Sequence, residues 1–258
     1  MTARQGMQAG EAPGTAVGVI PARFHASRFP GKPLVPIAGV PMIQRVWEAA
    51  RTAKRLRCVL VATDDVRIAE ACARFGAEAI LTSAAHPTGT DRLAEVAAHL
   101  RDSMIVNVQG DEPLIEGFVI DAAVDALAAD PEAPMATVVH AAEPGALADP
   151  NRVKVVLDRR GRALYFSRSP IPFQREGAPA APIWQHVGLY AYRREFLLRF
   201  VALAPTPAER AESLEQLRTL EHGFPIQVAV VEGWHSVPVD VPADVARVEQ
   251  RLRELGRC

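Results

Sequence analysis

Short apolar runs alternate with helix-patterned segments through the first half of the chain, and that alternation leaves few folds open. AVGVI (16–20), CVLVAT (58–63), AEAIL (77–81) and MIVNVQ (104–109) are short, mostly apolar runs without a consistent polar face. Strands of this kind need cover on both faces, which a mainly parallel sheet with helices on each side provides. The intervening segments have helical spacing. In 41–54, Ile43, Val46 and Trp47 share a face, with Ala50 a turn further on. Asp64 is placed to cap a helix running to about Phe75, and further helices are expected over 90–101 and near 116–129.

The second half is less regular. Strands are expected over 135–141, 152–158, 186–192 and 227–233, and helices over 193–203, 208–222 and 244–255. No internal repeat or low-complexity linker divides the chain. The expected fold is therefore a three-layer, Rossmann-like α/β fold with a mainly parallel mixed sheet. It forms a single domain over 16–258, with a smaller subdomain at approximately 135–225. Residues 1–15 are expected to be a flexible extension, with the true start at Met1 or Met7.

With 258 residues, 49% of them apolar, the chain can bury a full core. The net charge of -1 gives no electrostatic footprint for nucleic acid or an anionic membrane, so an acidic ligand needs local cations. Cys58, Cys72 and Cys258 are too few and too scattered for a disulfide framework or a CxxC metal site, and a reducing cytosol is the simple reading. No run reaches the roughly 18 apolar residues of a membrane span.

In open α/β sheets ligands sit beyond the carboxyl ends of the strands, and the chemically informative residues follow strands. PARFHASRFPGKPL (21–34) carries Arg23, Arg28 and Lys32 in one loop after the first strand. Such a loop can surround a triphosphate, with Arg as a planar fork and Lys as a compact charge; a solvated basic loop is the plainer alternative. Walker A is excluded because Ala26 stands where its first glycine belongs and Pro33 follows Lys32. GxGxxG is absent from the first strand–helix turn. Kinase and NAD-dehydrogenase readings fall with them.

NVQGDEPLI (107–115) places Asp111 and Glu112 after Gly110 at a strand end. Magnesium is usually held by one or two carboxylates plus phosphates. Asp111 suits that role, whereas Glu112 reads better as part of an acidic turn capping the helix that follows. Asp240, in PVDVPAD (238–244), is either a second metal ligand or a helix cap, depending on whether it meets Asp111 in space. Thr88, Gly89 and Thr90 form a polar turn that could meet a base or sugar edge, or simply cap a helix. Arg168, His186 and Gln216 could together recognise a carboxylated, hydroxylated sugar, although each alone has a structural reading. Of the three, Arg168 pairs best with a carboxylate.

These motifs, in this order, resemble the CMP-Kdo synthetases (3-deoxy-manno-octulosonate cytidylyltransferases) over about Val17 to Leu252. The resemblance rests on IPARFHASRFPGKPL, VATDD, TGTDRLAEV, IVNVQGDEPLI, NRVKVVLD, ALYFSRSPIPF, HVGLYAYRREFL, SLEQLR and VDVPAD. It implies a nucleotidyltransferase fold whose smaller subdomain serves sugar binding and dimerisation. It also implies a cytoplasmic homodimer that uses Mg2+, CTP and Kdo for lipopolysaccharide biosynthesis. By the same resemblance Arg23, Arg28 and Lys32 would hold the CTP phosphates, with Arg23, Lys32 and Asp111 catalytic. Thr88, Gly89, Thr90 and Gln109 would lie at the nucleotide. Asp111 and Asp240 would bind the metal, and Arg168, His186, Tyr190 and Gln216 would line the sugar site. The chain departs from the family pattern at Thr88, Asp91, Gln185 and Val241, and its segment between Pro172 and Gln185 is short. These changes bear on which acidic sugar is read. The alternatives are a cytidylyltransferase for 8-amino-Kdo or a sialic-acid-like sugar, and a nonenzymatic nucleotide-binding module.

Overall fold

A computed structural model of the chain describes residues 16–25, 29–143, 145–177, 179 and 181–257. The extension expected over 1–15, Arg28 and Cys258 lie outside the described residues. β1 (Ala16–Ala22) leads through a 3-10 turn (Lys32–Leu34), β2 (Pro36–Ile37) and β3 (Val40–Pro41) to α1 (Met42–Ala50). Next come β4 (Leu56–Thr63), α2 (Val66–Arg74), β5 (Glu78–Leu81), α3 (Gly89–Ala98), β6 (Met104–Asn107) and α4 (Gly117–Ala129). The second half adds β7 (Met135–Ala141), β8 (Lys154–Leu157), β9 (Ala163–Ser167), β10 (Trp184–Arg193) and α5 (Arg194–Phe200). It ends with α6 (Pro207–Glu212), α7 (Leu217–Glu221), β11 (Ile226–Val231) and α8 (Pro242–Glu254).

The main sheet runs β11-β7-β10-β6-β1-β4-β5, with β8 paired to β10 and β9 to β8. β1 lies parallel to both β4 and β6, with Val19 opposite Leu60 on one side and Asn107 on the other. β10 runs antiparallel to β6 and β7, so its first residues lie at the edge where β6 ends. From β1 the chain steps outward through β4 to β5, then returns through α3 to β6 on β1's other side. That reversal opens a crevice at the carboxyl ends of β1 and β6, the place where doubly wound sheets bind ligands.

Period-two alternation divides the core between the two sheet faces. Ile20, Val59, Val61 and Val106 meet Ile43, Trp47, Ile68 and Ile120 from α1, α2 and α4. Val17, Val19, Leu60 and Ile105 meet Leu93, Ala97, Leu197 and Phe200 from α3 and α5. A third cluster, including Ile37, Met42, Val239 and Leu252, anchors α8 over the β2–β3 ribbon.

Two sequence expectations shift. α2 is capped by Asp65, whose carboxylate accepts the Arg67 amide, and not by Asp64. Asp64 continues the alternation of Leu60 and Ala62 toward the α3 face, where it pairs with Arg92 at 2.8 Å. The helix expected over 208–222 is two helices, broken at Ser213, which has φ 51. HVGLYAY belongs to the sheet interior, between β6 and β7. Among the described residues no helix is long and apolar enough to cross a membrane.

Gly117 opens α4 against the loop after α1, and a Cβ there would lie 2.5 Å from the backbone of Thr52 and Ala53. Backbone cannot swing aside as a flexible side chain can. Gly117→Ala is expected to lower the unfolding free energy by about 1–3 kcal/mol, measured by urea denaturation; unchanged stability would show that α4 can slide away from α1.

Candidate active site

The loop after β1 is shaped by Gly31, which takes a left-handed conformation (φ 73) and donates its amide to the Phe24 carbonyl at 2.7 Å. That turn points Lys32 at the end of β6. Its ammonium donates to Asp111 Oδ2 at 2.9 Å and to the Val239 carbonyl at 2.6 Å, and lies 3.9 Å from Asp240 Oδ1. The Val239 amide donates to the Asp111 carbonyl at 2.9 Å. Asp111 and Asp240, distant in sequence, thus flank one cation position.

The capping alternative for Asp240 is answered by Asp244. Its carboxylate accepts the amides of Asp240 and Val241 at 2.8 and 3.0 Å, so the cap of α8 is supplied one turn later. Glu112 does not cap α4 either, because that helix starts at Gly117 after Glu116. It is buried, accepts the Ser236 hydroxyl, and is pushed up by burial to about 8. Its role is to stitch the β6–α4 loop to the loop carrying Asp240. Gly110 is required by close approach, since a Cβ would stand 2.9 Å from the Pro21 carbonyl.

A second group gathers at the N-terminus of α3. Thr88 is the N-cap, in a capping box with Asp91. Arg23 donates from Nη1 to the Pro87 carbonyl at 3.1 Å. Its Nη2 is buried with no hydrogen-bond partner among the described residues. Burial, reinforced by Arg92, holds the Arg23 pKa below its ordinary value. A half-buried guanidinium with an unused donor beside a helix N-terminus is suited to an anion. Arg92, wholly buried and paired with Asp64, is a support that the motifs TGTDR and VATDD contained without revealing it.

The third group lies on β10. Its register against β7 shifts between Val187 and Tyr190, and Gly188 lies in that shift. A Cβ on Gly188 would come within 3.3 Å of Gln109 Cγ, so Gln109 lies against β10 at Gly188; the rings of His186 and Tyr190, two residues to either side, are 5.4 Å apart. Thr137 donates its single hydroxyl proton to the Leu189 carbonyl at 2.7 Å and accepts from His186 Nε2 at 3.0 Å. Nδ1 of His186 is left as an acceptor. Burial drives the His186 pKa down to about 3 and raises that of Tyr190, so both are neutral hydrogen-bonding groups near neutral pH.

The 213–216 break joins the α3 and β10 groups, with Glu215 close to both Thr90 and Tyr190. Thr90 donates its hydroxyl to Glu215, whose pKa burial raises. Gln216 is buried with its Nε2 unpartnered among the described residues. Arg168 donates its guanidinium to the carbonyls of Pro150, Glu212 and Ser213. Glu212 and Glu215 went unread in the sequence because nothing there marks a helix break at Ser213.

A basic loop and two carboxylates at the switch point of a mixed sheet define a nucleotidyltransferase. The family model described as cytidylyltransferase matches residues 17–228. The chain is 52% identical to the 3-deoxy-manno-octulosonate cytidylyltransferase of Syntrophotalea carbinolica, covering 92% of this chain and 98% of the relative. It is 46% identical to the mitochondrial one of Arabidopsis thaliana, covering 92% and 83%. It belongs to the 3-deoxy-manno-octulosonate cytidylyltransferase family. A solved CMP:2-keto-3-deoxy-manno-octonic acid synthetase complexed with CTP superposes with TM-score 0.88 at 43% identity, covering 93% of this chain and 99% of that one. A cytidylyltransferase from Leptospira borgpetersenii, at 17% identity and TM-score 0.62 over 94% of this chain and 88% of that one, shares the fold.

Asp244→Ala removes the carboxylate that holds the Asp240 and Val241 amides. It is expected to cost about 1 kcal/mol of stability, as loss of an N-terminal cap does, in urea denaturation. No change would mean that water replaces the cap without loss.

Proposed function

We propose that this chain transfers CMP from CTP to the anomeric hydroxyl of 3-deoxy-D-manno-octulosonate (Kdo), releasing pyrophosphate. The observation that carries the reading is the meeting of Lys32, Asp111 and Asp240 at the end of β6. The name of the CTP-bound structural relative and those of the close relatives support the two substrates.

The donor set fits Mg2+. Two partly exposed carboxylates already flank a positive charge, the Lys32 ammonium, and a hard cation needs only one or two carboxylates when phosphates complete its shell. Asp111 and Asp240 would hold the ion, which when bound supplies positive charge to the phosphate oxygens and lowers the cost of ionising the attacking hydroxyl.

The chain's own groups do the positioning. Arg23, with its unused Nη2, and Lys32 stabilise the charge that grows on the departing pyrophosphate; Arg28 is assigned the same role. Thr88, Gly89 and Thr90 receive the cytidine, and Gln109 meets the nucleotide nearby. His186 Nδ1 and the Tyr190 hydroxyl are neutral partners for sugar hydroxyls, and the buried Gln216 amide offers an unused donor. Arg168 supplies the cation for the sugar carboxylate. The anomeric oxygen bonds to the α-phosphorus as the bond to pyrophosphate breaks, a reaction that depends mainly on alignment and charge. Segment 135–225 is assigned as the subdomain for sugar binding and homodimerisation. Leu164 and Tyr165, exposed on β9, are suited to that contact. The product is assigned to lipopolysaccharide biosynthesis in the cytoplasm.

Pyrophosphate release with Mg2+ is expected only when CTP and Kdo are both present, and not with UTP, ATP or GTP. Release with CTP and a sialic-acid-like or 8-amino sugar in preference to Kdo would move the sugar assignment. No release by folded protein with any pair would leave a nucleotide-binding module. Asp111→Asn is expected to lower kcat by at least about 100-fold with an unchanged circular-dichroism spectrum, and near-normal turnover would remove Asp111 from the metal site. Lys32→Ala is expected to raise the KM for CTP more than that for Kdo; an unchanged KM for CTP would contradict the phosphate role.

A further inference from the structure

Arg168 follows β9 directly, and every polar group of the residue is held. Its amide donates to the Glu212 carboxylate at 2.9 Å, and its carbonyl accepts from Lys154 Nζ at 2.6 Å. Nε donates to the Glu212 backbone carbonyl at 2.7 Å, Nη1 to the Pro150 carbonyl at 3.0 Å and Nη2 to the Ser213 carbonyl at 3.3 Å. The other oxygen of Glu212 accepts the Ser167 hydroxyl at 2.6 Å. Lys154 is fully buried, and its second bond is to the Asp149 carbonyl at 2.9 Å.

The acceptors differ in kind, and the difference matters. The Glu212 carboxylate spends its hydrogen bonds on the backbone of Arg168 and the hydroxyl of Ser167. The guanidinium donates only to backbone carbonyls, and among the described residues it forms no ion pair with a carboxylate. Carbonyls orient a guanidinium without cancelling its charge, whereas a bidentate carboxylate would compete directly with an acidic ligand. Two of those carbonyls belong to Glu212 and Ser213, where the left-handed Ser213 ends α6. A non-glycine residue in that conformation costs free energy and is held by its surroundings, as occurs at functional sites.

We propose that Glu212 is a positioning residue for Arg168: its carboxylate fixes the Ser167–Arg168 backbone while the chain break it precedes turns two carbonyls onto the guanidinium. Arg168 is thereby presented to the carboxylate of an acidic sugar as an oriented cation whose guanidinium is hydrogen-bonded to carbonyls and, among the described residues, to no carboxylate. The proposal rests on the assignment of Arg168 to the sugar side.

Glu212→Gln keeps the side chain's size and the backbone carbonyl but takes away the anionic acceptor. In the pyrophosphate-release reaction it is expected to raise the KM for Kdo about tenfold and to leave the KM for CTP within about twofold. In an Arg168→Lys background the same change is expected to add nothing, because a residue acting through Arg168 has no independent effect. An unaltered KM for Kdo, or a penalty of equal size in both backgrounds, would overturn the proposal.

Hydrogen exchange gives a readout that needs no turnover. Amides over 163–169 are expected to exchange faster in Glu212→Gln while those over 104–107 do not change; equal exchange over 163–169 would also overturn it. If Glu212→Gln does not fold, Ser167→Ala removes only the hydroxyl donated to Glu212 and is expected to raise the KM for Kdo about threefold. An unchanged KM in that variant would make Glu212 a packing residue and end the proposal. Wild-type protein that shows no Kdo-dependent release contradicts the assigned reaction instead, and the exchange measurement then decides the positioning role alone.

Discussion

The contact among Lys32, Asp111 and Asp240 ties together the three parts of the molecule that the proposed reaction uses. Lys32 comes from the loop after β1, Asp111 from the end of β6, and Asp240 from the loop before α8. Two carboxylates brought this close repel each other unless a cation lies between them, and the Lys32 ammonium provides one. The Val239–Asp111 and Ser236–Glu112 bonds hold the two acidic loops in register. In the proposed reaction this cluster is the cation position at the edge where the phosphates would arrive.

Sheet topology puts it there. The return from β5 through α3 to β6 opens the crevice beside β1, and the same crossover delivers the N-terminus of α3 to it. The one reversed strand of the main path, β10, then brings His186 and Tyr190 to that edge from the opposite direction. A wholly parallel sheet would have placed the start of that strand at the far end. The buried Arg92–Asp64 pair and the Thr88–Asp91 capping box fix α3 from below and at its tip. Glu215 carries that order across to the 213–216 break through Thr90.

Much of this was legible in the residues. Apolar runs and helical spacing placed the main strands and helices, and Arg23, Lys32 and Asp111 stood out because they follow strands. The meeting of Asp240 with Asp111 could not be read, since Lys32 and Val239 are 207 positions apart and only the fold closes that gap. Asp64 reads as the cap of α2 in sequence, but the cap is Asp65, because strand alternation turns Asp64 toward α3. Glu112 reads as an acidic turn in sequence, and only its burial against Ser236 shows it to be a stitch. The left-handed Ser213 gave no signal because an uninterrupted helical pattern runs across it. Arg168 was found by its chemistry, but the carbonyl cage around it depends on that break.

The central claim, that Asp111 and Asp240 form one cation position, is tested most directly by titrating CTP into protein with and without Mg2+ in a calorimeter. Asp111→Asn, Asp240→Asn and the double variant would be compared with wild type. If both carboxylates hold the same ion, each single change removes most of the Mg2+-dependent gain in CTP affinity, and the double change removes little more. Losses that simply add, or a gain that survives in either single variant, would mean that the two carboxylates do not share an ion.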